Sequence, residues 1–207
     1  MHCDARRAVT ARPLVIVLHG PSGVGKDSVI DALRKKTGIH RATSTTDRAP
    51  RTGERNGIDY HFVTRREFEE KIAHGDFLEY AQVYGDWKGL EKSEVLAPLA
   101  DGRDVIIRTD VQGARRWREI LDGAVYVFLM AEDREALRAR LVSRGSEDGE
   151  SMARRLADIE EELADIDNND YVVWNHHGRL AEAVEQIEKI IEREHANAAR
   201  PVPQLRV

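Results

Sequence analysis

The sequence predicts an α/β fold in three layers, with helices on both faces of a parallel central sheet. Three observations predict it. Short runs of branched apolar residues (Leu14 to Leu18, Val105 to Ile107, Val125 to Met130, Tyr171 to Trp174) read as strands buried on both faces. Amphipathic helical patterns alternate with them, the rhythm of parallel strands joined by crossovers. The 207 residues, 41% hydrophobic and 33% charged, suit one soluble domain with inserts.

Residues 1–13 read as a flexible tail, and Leu14 to Leu18 as the first strand. Lys26 to Thr37 is a helix closed by Gly38. A short second strand is expected over Ala42 to Thr46, then a charged loop from Asp47 to Asp59, punctuated by Pro50, Gly53 and Gly57. Tyr60 to Val63 reads as a strand. Arg65 to His74 reads as a helix with Phe68 and Ile72 inward and Gly75 at its end. Phe77 to Tyr84 alternates apolar and polar residues, and Gly85-Asp86 turns it back through Trp87 as a hairpin. Glu91 to Leu99 and Gln112 to Leu121 are expected helices. So are Asp133 to Arg144 and Ser151 to Ile166, which flank the polar break Gly145 to Gly149. Leu180 to His195 is the last helix, and residues 196–207, with Pro201 and Pro203, read as a C-terminal tail. The hairpin breaks the strand–helix rhythm, so residues 44–99 form an insert over the sheet edge, and residues 144–155 a small lid. Residues 14–195 make up the domain.

The bulk numbers exclude several classes. A net charge of −5 leaves no general footprint for nucleic acid. The single cysteine, Cys3, supplies neither a disulfide framework nor a zinc site. No apolar run reaches membrane-spanning length, so no membrane is expected. The first dozen residues carry Arg6, Arg7 and Arg12 without an apolar core, unlike a secretory signal, and a reducing cytoplasm is the expected compartment.

One stretch carries chemistry at once. Gly20-Pro21-Ser22-Gly23-Val24-Gly25-Lys26-Asp27-Ser28 follows the first strand and opens the first helix. Gly20, Gly25 and Lys26 fit the spacing of a phosphate-binding loop in the strand–turn–helix context it requires. Glycines let successive N–H groups converge on an anion, the helix N-terminus adds positive potential, and Lys26 supplies a mobile charge. Asp27 stands where a hydroxyl is usual, and Ser28 follows it. Asp27 either binds Mg²⁺ or caps the helix.

Further on, Ser44, Arg48 and Arg51 fall around Pro50, two guanidinium forks and a hydroxyl suited to a monoester phosphate, with Tyr60 able to add a phenol. Plain surface arginines around a turn are the alternative. Glu79, flanked by apolar residues on an expected strand, matches the adjacent N1–H and 2-amino donors of guanine and would repel adenine's N1 lone pair. The alternative is a glutamate on the wet face of a sheet. Asp110, just past a strand end, orients Mg²⁺ through water, binds an acceptor base, or caps the next helix. Arg140, Arg144, Arg154 and Arg155 flank the expected lid and would neutralise phosphates on closure; some would form ion pairs with the glutamates at 160–162. Asn175 ends the last strand, where it could touch a base edge.

With these segments in view the chain resembles a guanylate kinase over Leu14 to His195. The resemblance rests on Gly-Pro-Ser-Gly-Val-Gly-Lys at 20–26, Ser-Thr-Thr-Asp-Arg-Ala-Pro-Arg-Thr-Gly-Glu at 44–54 and Gly-Ile-Asp-Tyr-His-Phe-Val at 57–63. It continues with Phe-Leu-Glu-Tyr-Ala-Gln-Val-Tyr-Gly at 77–85, Asp-Val-Gln-Gly-Ala at 110–114 and Arg-Leu-Val-Ser-Arg-Gly at 140–145. It implies a three-layer P-loop NTPase fold with a GMP-binding insert containing the hairpin, and a small lid. The implied activity is transfer of the ATP γ-phosphate to GMP and dGMP with Mg²⁺, in purine metabolism.

By the same resemblance Gly20, Pro21, Ser22, Gly23, Val24, Gly25, Lys26, Asp27 and Ser28 would bind ATP, with Asn175 near its adenine. Ser44, Arg48, Arg51 and Tyr60 would hold the GMP phosphate, with Lys88 adding charge there, while Glu79 and Asp110 would read guanine. Lys26, Arg140, Arg144 and Arg155 would act on the transferring phosphate, with Ser28 and Asp110 on the metal side. The chain departs from the family pattern in three places. Lys88-Gly89-Leu90 replaces Tyr-Gly-Thr or Tyr-Gly-Ser, removing a phenol and a hydroxyl. Arg108 replaces an aspartate, a reversed charge that could pair with Asp110 and change how metal or base is held, and Asp27 replaces a small or hydroxylated residue. Two other readings compete with this one. Gly-Lys-Asp-Ser also resembles the loop of ribose 1,5-bisphosphate phosphokinases, which lack the Gly-Glu and Asp-Tyr-His-Phe segments found here. Guanylate-kinase-like binding modules without turnover tend to lose the loop lysine or lid arginines, and this chain keeps both.

Overall fold

The structure is a computed structural model, and it describes residues 12–83, 85–132 and 166–206. At its centre five parallel strands lie in the order β10-β9-β1-β7-β2. They are β1 (Val15–His19), β2 (His40–Ala42), β7 (Val105–Arg108), β9 (Val125–Ala131) and β10 (Tyr171–Asn175). Their side chains alternate between two buried faces. Ile16, Leu18, Ile106, Val127 and Leu129 pack with α1 (Lys26–Thr37) and α5 (Leu180–Ala196). Val15, Val17, Val105 and Ile107 pack with Val95 of α3 (Ser93–Ala100) and Trp117 of α4 (Val111–Ile120). Both faces are therefore covered, which is why these strands are continuously apolar.

The helix ends follow local chemistry. α1 carries Asp27 in its first turn and Arg34, Lys35 and Lys36 in its last, matching the helix dipole. In α2 (Arg65–His74) Thr64 and Glu67 form a reciprocal capping box. Asp110 caps α4, its Oδ1 accepting from Gly113 N at 2.7 Å.

The insert forms its own sheet, in the order β4-β3-β6-β5. β5 (Phe77–Val83) and β6 (Asp86–Glu91) are the expected hairpin, and β3 (Thr45–Thr46) pairs antiparallel to β6 and parallel to β4 (His61–Phe62). Phe68 stacks on Phe77 and Trp87 at centroid distances of 4.4 and 5.9 Å, giving the insert a small aromatic core. The single strand expected over Ala42 to Thr46 is in fact two. His40–Ala42 edges the parallel sheet, and after Thr43 and Ser44 the chain enters the insert sheet at Thr45. Glu94 explains the break: its carboxylate accepts from Thr43 N at 2.8 Å and from the rings of His40 and His61 at 3.3 and 3.0 Å.

The C-terminal segment expected as a tail packs back onto the domain. Arg200 bonds the buried Glu194 and donates to Ala124 O, and β11 (Gln204–Leu205) pairs antiparallel with β8 (Leu121–Asp122). The expected helices Asp133 to Arg144 and Ser151 to Ile166, and the lid at 144–155, lie outside the described residues, apart from a 3₁₀ turn over Ile166–Asn168. Among the described residues no helix is long and apolar enough to cross a membrane.

Candidate active site

β1 and β7 are neighbours in register, Leu18 beside Arg108, so the segments that leave their carboxyl ends meet. Between them and the insert lies a cleft of about 320 Å³. Ser22, Gly23, Gly25, Lys26 and Asp27 line it from the loop and α1. Ser44, Glu79 and Lys88 line it from the insert, and Arg108, Thr109 and Asp110 from the end of β7. Ligands of open α/β sheets bind at this edge.

The loop's shape is set by packing. Gly20 has φ 136°, and a Cβ there would stand 2.2 Å from the carbonyl oxygen of Leu129. Gly25, at φ 100°, leaves room for Asn175, whose Nδ2 a Cβ would approach to 2.6 Å. Asn175 is 7% exposed and donates from Nδ2 to Val24 O at 2.8 Å. Expected near an adenine, it holds the loop backbone from beneath, because its amide is engaged by Val24. Lys26 Nζ donates to Gly20 O and Pro21 O at 2.6 and 3.0 Å, folded over the loop it is expected to serve. Pro21 and Val24 are buried parts of the loop wall, whereas Ser28 is exposed and outside the cleft lining, so its expected metal role has no support from its position.

Asp27 is neither a simple cap nor an open metal ligand. Its Oδ1 meets Arg41 Nη2 at 2.9 Å and Arg108 Nε at 3.1 Å. Arg41 is 8% exposed and reaches Asp31 Oδ1 at 3.2 Å with its other terminal nitrogen. The pairing of Arg108 with Asp110 considered from the sequence is therefore corrected: Asp110 uses its Oδ1 on Gly113 N, and Arg108 turns to Asp27. Arg41 escaped the sequence reading. Its only signal was a cation on a strand that follows a helix with aspartates at i and i+4, Asp27 and Asp31.

On the insert side Glu79 lines the cleft, partly buried, with Arg116 Nε no closer than 3.9 Å. Burial pushes its carboxyl pKa up, and Asp110 adds to this, while Arg116 and Lys88 pull against it. An acid so held is a poor ion-pair member and a good acceptor for paired neutral donors. Arg48 is fixed in a two-pronged pair with Glu54 at 2.9 and 3.0 Å and lies 5.4 Å from the Tyr60 ring centroid. Arg51 is exposed, and its backbone N–H donates to Glu54. Neither arginine reaches the cleft lining; Lys88 does, with its Nζ 5.3 Å over the same Tyr60 ring. Burial alone would raise the Tyr60 phenol, but the charges of Lys88, Arg108 and Arg48 bring it below its ordinary value. A bank of cations thus runs from the cleft into the insert. Leu90, noted as a lost hydroxyl, is a core residue packed with Val95 and Trp117. Arg140, Arg144, Arg154 and Arg155 lie outside the described residues.

Comparison with known proteins agrees with this geometry. The family model described as guanylate kinase matches residues 11–194. The chain is 45% identical over 187 residues to guanylate kinase 2, chloroplastic/mitochondrial, of Oryza sativa subsp. japonica, covering 89% of this chain and 66% of that protein. It is 40% identical over 195 residues to the guanylate kinase of Latilactobacillus sakei, covering 93% and 95%. The crystal structure of guanylate kinase from Anaplasma phagocytophilum superposes with a TM-score of 0.72 at 28% identity, covering 92% of this chain and 90% of that one. By sequence match and by fold alike, the chain belongs to the guanylate kinase family.

Proposed function

We propose that this protein transfers the γ-phosphoryl group of ATP to GMP and dGMP, giving ADP and the guanosine diphosphates, as a cytoplasmic enzyme of purine nucleotide metabolism. The observation that carries the reading is the position of Glu79 across one cleft from the phosphate loop. A nucleotide phosphorylated here must present its base to a half-buried carboxylate, and guanine offers two adjacent donors to it.

The protein's part in such a transfer is positioning and charge neutralisation rather than covalent chemistry. The loop amides and Lys26 hold the donor phosphates, with Asn175 fixing the loop. Ser44, Arg48, Arg51, Tyr60 and Lys88 provide the acceptor phosphate with cations and hydroxyls, and Glu79 with Asp110 selects the base. Arg140, Arg144 and Arg155 are assigned to the transferring phosphate on sequence alone.

Magnesium fits this site in one manner. Among the described residues no group of three or more acidic, histidine or cysteine side chains is arranged to hold a metal ion, and Asp27 is occupied by two guanidiniums. A cation bound here would be carried mainly by the nucleotide phosphates, with Asp110 the residue that would hold it through water. Bound there, it would neutralise charge on the β- and γ-phosphates. ADP release measured with GMP, dGMP, AMP, CMP and UMP as acceptors tests the reading: GMP and dGMP should be preferred at least about a hundredfold. Equal rates with AMP would sink the substrate assignment.

A further inference from the structure

We propose that Arg108 is a phosphate-binding residue of this enzyme, held by Asp27 so that the free edge of its guanidinium meets the acceptor monophosphate. Both positions depart from the family pattern that the sequence resembles, which has an aspartate at 108 and a small or hydroxylated residue at 27. Arg108 lies at the end of β7 and lines the cleft. The closest approach of Asp27 is to its Nε, at 3.1 Å. A guanidinium is rigid and planar, with five donors in a fixed fork. A partner met at Nε leaves Nη1 and Nη2 able to donate outward, and among the described residues Arg108 makes no side-chain hydrogen bond and no ion pair besides that with Asp27.

Asp27 does not neutralise Arg108 fully, because its Oδ1 is shared with Arg41. Arg41 and Arg108 together face Asp27 and Asp31, two cations against two carboxylates, so the cluster is neutral as a whole and what Arg108 offers a ligand is its outward donors. Arg108 also acts on the Tyr60 phenol, which places its charge on the acceptor side of the cleft beside Lys88. An unsatisfied fork among Lys26, Lys88 and Tyr60 suits a phosphate dianion, for which two parallel N–H bonds to two oxygens are the favoured geometry. Lys88 stands where the family has a phenol; Arg108 restores directed donors to that phosphate. Asp27 is a positioning residue: it fixes the fork's angle and touches no substrate.

The proposal rests on the cleft being the GMP site, and the wild-type acceptor assay checks that separately. Its own test compares GMP with guanosine, which has the same base and no phosphate. By calorimetry R108A should bind GMP about tenfold or more weakly while guanosine binding stays unchanged, and the KM for GMP should rise more than that for ATP. R108K, which keeps the charge and loses the fork, should fall between. D27N should raise the KM for GMP in the same direction, and R108A/D27N should be no worse than R108A. If R108A lowers GMP and guanosine affinity equally, or neither, Arg108 is only a partner for Asp27 and the proposal fails. If R108A does not fold, R108K decides on the same ratio. Fully additive losses in the double variant would overturn the positioning role of Asp27.

Discussion

Glu79 is the side chain on which the proposed substrate choice turns. Its carboxyl pKa is raised by burial and by Asp110, which means that ionising it costs more in the folded protein than in the unfolded chain. A carboxyl whose folded pKa exceeds its unfolded value contributes stability below about pH 4.5 and loses it as pH rises through the folded value. At neutral pH an ionised Glu79 is therefore a cost to the fold, which the proposed guanine contacts would offset. E79Q should lower kcat/KM for GMP about tenfold or more, because one acceptor of the pair becomes a donor facing a donor. Its thermal midpoint at pH 7 should equal or exceed that of the parent. Steady-state kinetics beside calorimetric melting checks both; a lower midpoint with unchanged kinetics would make Glu79 structural. The type and position of Glu79 were visible in the sequence, since a lone acid on an apolar strand asks for a partner. The pairing of Arg108 was not. Charge alternation along a chain does not tell which carboxylate a six-atom side chain reaches, and Asp27, 81 positions away in sequence, proved nearer than Asp110 two positions away.

At the scale of elements the phosphate loop is governed by its close approach to β9. Gly20 combines a left-handed φ with a backbone carbonyl 2.2 Å from where a Cβ would sit, and a carbonyl inside a strand cannot rotate aside. G20A should destabilise the protein by roughly 2–4 kcal/mol, from strain plus displacement of β9, and should abolish ATP binding. Denaturant unfolding and nucleotide titration measure the two effects; an active G20A of parental stability would show the loop geometry to be wrong. The spacing Gly20, Gly25, Lys26 disclosed the loop because it lies within one local segment. The division of Ala42 to Thr46 into β2 and β3 did not show, because it depends on Glu94, 51 positions away in sequence, taking the N–H of Thr43. The aromatic core of Phe68, Phe77 and Trp87 lay in between: the apolar positions were evident, their stacking was not.

Over the whole molecule Glu94 joins the central sheet to the insert. Burial alone would raise its pKa, but hydrogen bonds from His40, Thr43 N and His61 outweigh it and hold the carboxyl at about 2. A depressed carboxyl stabilises the fold above its unfolded value of about 4.5, and that stability is lost as pH falls from there towards 2. The difference corresponds to about 3 kcal/mol as an order of magnitude. E94Q should melt well below the parent at pH 7, and the gap between them should close as the pH approaches 2. Melting curves at pH 7, 4 and 3 check this; a gap independent of pH would mean that Glu94 acts by shape alone.

The sequence by itself determined what is local: alternating strands and helices, the glycine loop, the hairpin, the capping residues, and the motif segments by which the family is known. These follow from periodicity and from backbone conformations that few residues tolerate, and both are properties of adjacent positions. The tertiary structure alone decided which distant charges meet. It set Asp27 between Arg41 and Arg108, Asn175 beneath the loop, and Arg200 against Glu194. Electrostatic partners are chosen by distance in space and by burial, and strand order brings those together without leaving a mark in neighbouring residues.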